Sequence, residues 1–196
     1  MTLPLVVAIT GATGVIYGVE LLRVLKGLHQ ETHLILSEAA GMNLAIETDV
    51  TLDEVRSLAD VVYNNRDVGA AVASGSFRTR GMIVAPCTIK TLSAIANSFT
   101  ANLVVRAADV QLKEGRKLVL MVRETPLHKG HLELMARAAD CGAVILPPMP
   151  AFYHRPATIM DIVHQSIGKA LDQVGVEHDL FRRWSGHGES ARLHAI

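Results

Sequence analysis

Short apolar runs recur along this chain with room for one helix between each pair, and few folds accept that pattern. Residues 5–9, 34–36, 82–85, 118–122 and 144–146 are nearly free of charge and of polar alternation. They read as strands buried on both faces. Between them run helical stripes: Gly18, Leu21, Leu22, Leu25 and Leu28 form one, and Ile159, Val163, Ile167, Ala170 and Val174 another. Thr158, with Asp161 three residues on, is a capping pair for the last helix. This alternation predicts an α/β fold, with one Rossmann-like (flavodoxin-like) domain whose mostly parallel sheet carries helices on both faces.

Composition narrows the function classes. Hydrophobic residues make up 49% of the 196 and aromatics only 4%, so the core must be aliphatic. Nineteen basic residues cancel nineteen acidic ones, which argues against a nucleic-acid partner. No apolar run approaches the roughly 20 residues of a membrane span. The first residues lack the basic start of a secretion signal. Two cysteines, Cys87 and Cys141, supply neither a disulfide framework nor metal-ligand spacing, and a reducing cytoplasm is the expected compartment.

The polar residues of interest follow the strands. Thr10-Gly11-Ala12-Thr13-Gly14 leads from the first strand into a helix that begins near Tyr17-Gly18. Such a turn lets a ligand approach the backbone and offers helix N–H groups to an anion; a tight turn with no ligand reads equally well. The second strand ends at Ser37 without the acidic residue that holds a dinucleotide ribose, so NAD is disfavoured. Pro86-Cys87-Thr88-Ile89-Lys90-Thr91, Arg123-Glu124 and Tyr153 follow later strands and share the same sheet edge. Hydroxyls and cations converging there suit a phosphorylated ligand.

Blander readings stand beside these. Asp109 and Lys113 have the spacing of a solvated helix pair. Ser74-Gly75-Ser76-Phe77 is a turn with two hydroxyls, and Glu47 reads as a solvated helix end. His128 and His131 stand three apart on an expected helix without a third ligand, and Cys87 reads as a core residue.

These segments together resemble the UbiX flavin prenyltransferase family. The likeness is carried by the Thr10 to Gly18 turn, Glu47-Thr48-Asp49, Ser74-Gly75-Ser76-Phe77 and Pro86-Cys87-Thr88-Ile89-Lys90-Thr91-Leu92. It continues through Arg106-Ala107-Ala108-Asp109-Val110, Leu112-Lys113-Glu114, Arg123-Glu124-Thr125-Pro126-Leu127 and the proline-rich stretch 147–156, and it runs in order from Leu5 to Trp184.

The resemblance implies transfer of a dimethylallyl group from dimethylallyl phosphate to N5 and C6 of reduced FMN, without a metal. The product, prenylated FMN, would serve a UbiD-type decarboxylase, as in ubiquinone biosynthesis. The resemblance also implies a trimer-based homo-oligomer, a dodecamer. It assigns FMN to Gly11, Ala12, Thr13, Ser37, Thr88, Ile89, Lys90, Thr91 and Arg123. The donor phosphate falls to Tyr153 and Lys169, with Arg106 and Lys113 from an adjoining subunit. Glu47 and Glu124 become acid–base carboxylates, and Trp184 an aromatic wall. An FMN-binding domain then spans residues 1–181, and the tail 182–196 covers the site.

Thr13 and Thr88 stand where many relatives have serine, and Lys169 where they have arginine. Threonine keeps the hydroxyl, whereas lysine exchanges a bidentate phosphate grip for a point charge. Two other functions fit the residues less well: an FMN-dependent decarboxylase and a non-catalytic flavin-binding subunit of a decarboxylase.

Overall fold

Alternate residues of the first strand, β1 (Leu5–Ile9), feed two separate cores. Leu5, Val7 and Ile9 face one and Val6 and Ala8 the other, and all five are buried. A strand so placed must be central, with both faces covered. The computed structural model, which describes residues 3–186, places β1 between β2 (Thr32–Leu36) and β4 (Gly81–Cys87). Outward from these lie β3 (Val61–Asn64) on one side, and β5 (Lys117–Val122) then β6 (Ala143–Ile145) on the other. All pairings are parallel, and the order β3-β2-β1-β4-β5-β6 is that of a Rossmann-like sheet.

Seven α-helices are found among the described residues. Helices α1 (Ile16–Gly27), α2 (Glu38–Glu47), α3 (Leu52–Ser57) and α7 (Ile159–Gln173) contribute to the core that holds Leu5, Val7 and Ile9. Helices α4 (Ile89–Ala96), α5 (Leu103–Lys113) and α6 (Lys129–Asp140) close the opposite face. Burying aliphatic side chains such as Leu21, Leu22 and Leu25 contributes about 1.5–3 kcal/mol each against exposure. Gly18 matters to this layer: a Cβ there would lie 2.4 Å from the Ala85 carbonyl, so α1 crosses β4 at a distance only glycine permits.

The expected fold class is the observed one, with local differences. β3 lies at the sheet edge and alternates between half-buried and exposed positions, so it lacks a continuous apolar run. β4 continues through Pro86 to Cys87 because the pairing with β5 shifts register between Val84 and Cys87, where proline has no N–H to give. Leu28 is 41% exposed just past the end of α1, and Ile159 is 79% exposed on the first turn of α7. Both leave the core stripes expected of them. His128 precedes α6 as its cap, accepting from the Gly130 N–H, and its ring lies against that of His131 with centroids 3.6 Å apart. The expected tail 182–196 is described only as far as Gly186; the remainder lies outside the described residues. No helix among the described residues is long and apolar enough to cross a membrane.

Candidate active site

The chain leaves β1 for α1 on one face and leaves β4 for α4 on the other, which opens a crevice at their carboxyl ends. Thr10 ties its two lips together. Its buried hydroxyl donates to the Pro86 carbonyl at 2.8 Å and accepts from the Thr88 N–H at 2.9 Å. β2 joins the lip through the Ser37 N–H, which donates to the Ile9 carbonyl at 3.1 Å. A cleft of about 690 Å³ results, with Thr10, Gly11, Ser37, Thr88, Lys90 and Thr91 in its lining.

Two helices begin at this cleft. Ser37 caps α2 by accepting from the Ala40 N–H, and Thr88 caps α4 by accepting from the Thr91 N–H, with its hydroxyl 3.0 Å from that of Thr91. Their first-turn N–H groups have no helical acceptor, and Lys90 adds a positive charge. Gly11 is required for closeness: a Cβ would sit 2.3 Å from that of Ala39. Ala12 and Thr13 continue the turn, Thr13 exposed, while Ile89 packs against the α4–α6 core. The volume and donor set fit a flavin mononucleotide, whose phosphate needs N–H donors and a cation and whose ring needs a slot.

At the α1 end, the sequence leaves an anion site and a ligand-free turn equally open. Glu47, from the end of α2, accepts from the N–H groups of Gly14 at 2.7 Å and Val15 at 3.1 Å. A carboxylate of the chain itself thus occupies the positive end of α1, and Glu47 is no merely solvated helix end. Sequence reasoning also passed over Asn43, which donates to the Gly11 carbonyl at 3.0 Å, and Asn64, Asn65 and Asn102 in the cleft lining. The Asn64-Asn65 pair after Val61-Val62-Tyr63 was the available signal.

Beyond β5, the Arg123 N–H donates to the Cys87 carbonyl at 3.0 Å. Burial raises the hydroxyl pKa of Tyr17, and a hydrogen bond with Ser166 of α7 and the positive charge of Arg123 draw it part of the way back. Glu124 is exposed, with Oε1 accepting from the Thr125 N–H at 3.0 Å. Cys87 is buried, and desolvation pushes its thiol up to about 12, so it stays protonated at neutral pH and serves as core.

Tyr153 and Trp184 meet edge to face, with ring centroids 6.3 Å apart and planes at 82°. On the same side, Asp172 of α7 takes two hydrogen bonds from Arg183, at 3.0 and 2.7 Å, and lies 3.6 Å from the Lys169 ammonium. The Arg183 hydrogen bond holds the Asp172 carboxyl below its ordinary range against a burial effect of opposite sign. Arg106 and Lys113 stand elsewhere, on the α5 face beside the Ser74-Gly75-Ser76 turn. Arg106 donates to the Ala73 carbonyl at 3.1 Å and pairs with Asp109, while Lys113 pairs with Glu114 at 2.5 Å. The expected Asp109–Lys113 pair is therefore replaced by two others, because each charge finds a nearer partner.

The Flavoprotein family matches residues 2–170. The flavin prenyltransferase UbiX of Thauera aromatica is 57% identical over 185 residues, 94% of this chain and 95% of the relative. A solved structure of AnUbiX in complex with FMN and dimethylallyl pyrophosphate is 47% identical and superposes with a TM-score of 0.94, covering 96% of this chain and all of that one. A dodecameric FMN-dependent UbiX-like decarboxylase from Escherichia coli O157:H7 is 49% identical with a TM-score of 0.91, over 93% of this chain and all of that one. At such identity over nearly the full length, the chain belongs to the UbiX flavin prenyltransferase family.

Proposed function

We propose that this chain transfers a dimethylallyl group from dimethylallyl phosphate to N5 and C6 of reduced FMN, giving prenylated FMN. One observation supports the assignment of residues: the capped starts of α2 and α4 open on one cleft with Lys90 and Thr91, while Lys169 lies near Asp172, whose partner Arg183 adjoins the Trp184–Tyr153 ring pair.

In this reading Ser37, Thr88, Ile89, Lys90 and Thr91 hold the FMN phosphate at the starts of α2 and α4. Gly11, Ala12, Thr13 and Arg123 border the ring. When bound, reduced FMN supplies the electron-rich nitrogen and the neighbouring ring carbon. Lys169, with Tyr153, meets the phosphate of the donor and stabilises its charge as the allylic C–O bond breaks. The faces of Tyr153 and Trp184 stabilise the positive charge left on carbon. Glu124 takes the proton that ring closure releases, a role for which its exposed carboxylate is open. Glu47 acts through the β1–α1 turn that it holds.

Arg106 and Lys113, remote from Tyr153 in their bonding, complete the donor site from an adjoining subunit of a trimer-based dodecamer. The product goes to a UbiD-type decarboxylase, and the two unpaired cysteines fit a cytoplasmic setting.

Anaerobic incubation with reduced FMN and dimethylallyl phosphate, followed by mass spectrometry of the extracted flavin, tests the reading. A flavin heavier by one five-carbon unit is expected. Recovery of unmodified FMN would favour the decarboxylase that the Escherichia coli O157:H7 relative is described as, or a binding subunit.

A further inference from the structure

The segment after α7 packs Val176 and Leu180 on the core and is then fastened to that helix by His178, Phe181 and Arg183. His178, its side chain almost fully buried, donates through Nε2 to the Gly168 carbonyl at 2.9 Å and lies 3.2 Å from Asp172 Oδ1. Its other ring nitrogen accepts from the Leu180 N–H at 3.3 Å, which fixes the tautomer. Phe181 lies so close to α7 that a Cβ on Gly168 would stand 2.5 Å from its ring. Arg183 then reaches back with two hydrogen bonds to Asp172 and lies over the Phe181 ring at 5.3 Å. The next residue is Trp184, edge-on to Tyr153.

We propose that Asp172 is a positioning residue: it clasps the 178–184 segment to α7 and so sets Trp184 against Tyr153 beside Lys169. This rests on the transfer reading above and deepens it by naming what orders the donor side. Two features support the clasp. Gly168 leaves a recess that His178 and Phe181 fill, so the docking is shaped as well as charged. Asp172 also spends its hydrogen bonds on Arg183, whereas Lys169 lies at 3.6 Å, beyond ordinary hydrogen-bond length. Asp172, Arg183 and Lys169 together carry one net positive charge, and Lys169 keeps the capacity to meet a phosphate. Trp184 is 63% exposed and Tyr153 45%, so the ring pair stands at the surface beside the clasp.

The test uses the full chain with Asp172→Asn and, separately, Arg183→Gln. Arg183 is 55% exposed at its side chain, so losing it leaves the fold intact. Trp184 is the sole tryptophan, and its time-resolved anisotropy reports the clasp directly. Both variants should show a larger fast-decaying share than the parent. The KM for dimethylallyl phosphate should rise about tenfold while the Kd for FMN stays within about twofold. Arg183→Lys should restore part of both signals, since it keeps the charge but loses the fork.

Unchanged anisotropy and donor KM in both variants would overturn the clasp, as would a loss that falls equally on FMN affinity. A parent chain that makes no prenylated flavin would sink the transfer reading instead. The anisotropy contrast between parent and variants would still decide the clasp.

Discussion

The two sides that the proposed function assigns to flavin and to donor are built from different materials. On the flavin side, Thr10, Ser37 and Thr88 bond to backbone groups of neighbouring strand ends and helix starts, and Thr10 is buried. On the donor side, Tyr153, Lys169, Arg183 and Trp184 are substantially exposed and joined by charge and ring contacts. Hydrogen bonds sealed from water are costly to break, whereas exposed ion pairs are worth little to stability. The cleft at β1 and β4 is therefore part of the fold, and the donor wall is an addition that can be loosened without unfolding the chain.

The sharpest break in that contrast is expected at Glu124, the base in the proposed transfer. Glu124→Gln keeps the shape and removes the base. It should lower the rate of prenylated FMN formation by about 10²–10⁴-fold, with FMN binding retained in a fluorescence titration. An effect below about tenfold would pass the proton work to the departing phosphate. Next comes the flavin side itself. Thr10→Val leaves the Thr88 N–H without its acceptor, while the Pro86 carbonyl keeps the Thr10 backbone N–H, and should cost about 1–3 kcal/mol in urea unfolding. FMN affinity should fall in the same variant, because the start of α4 loses the hydroxyl that holds the Thr88 N–H. Lys169→Ala should do the reverse: about a tenfold rise in donor KM, with unfolding and FMN affinity little changed. A stability loss from Lys169→Ala comparable to that from Thr10→Val would erase the distinction.

The legibility of the sequence follows the same division. β1, β2, β4 and β5 announced themselves because both faces are largely buried, and β6, at one edge, because Ala143-Val144-Ile145 is uniformly apolar. β3, at the other edge, did not, since Val61–Asn64 ends in Tyr63 and Asn64 and alternates between half-buried and exposed positions. Ser37 and Thr88 could be read as helix starts because capping is local chemistry. Glu47 could not be read as the partner of Gly14 and Val15, which lie 33 and 32 residues away, because nothing local forecasts that bond. Asp172 was equally hidden: its three cationic or imidazole neighbours come from its own helix and from a segment that folds back on it. Site roles came into view through family resemblance, since single polar residues at strand ends read equally well as caps.

The smallest expected effect is a pH response of the donor wall, and its sign follows from Asp172. The groups facing its carboxylate are Lys169 on the same helix and His178 and Arg183 on the returning segment, with Tyr153 next to Arg183. The hydrogen bond from Arg183 lowers the Asp172 pKa below its ordinary 3.8. A group with a depressed folded pKa stabilises the folded arrangement above its unfolded value, and that contribution is lost as pH falls through the folded value. The share of the clasp that Asp172 carries should therefore be complete at neutral pH and be lost only in acid below 3.8. Water screens Asp172, so global unfolding should scarcely register the change. Trp184 should register it, as anisotropy that falls below pH 3.8 in the parent chain. In Asp172→Asn, which has no proton to gain there, the signal should already be low and flat across the same range. A matching acid transition in both chains would trace the loosening to some other carboxylate and leave the donor wall without its proposed fastening.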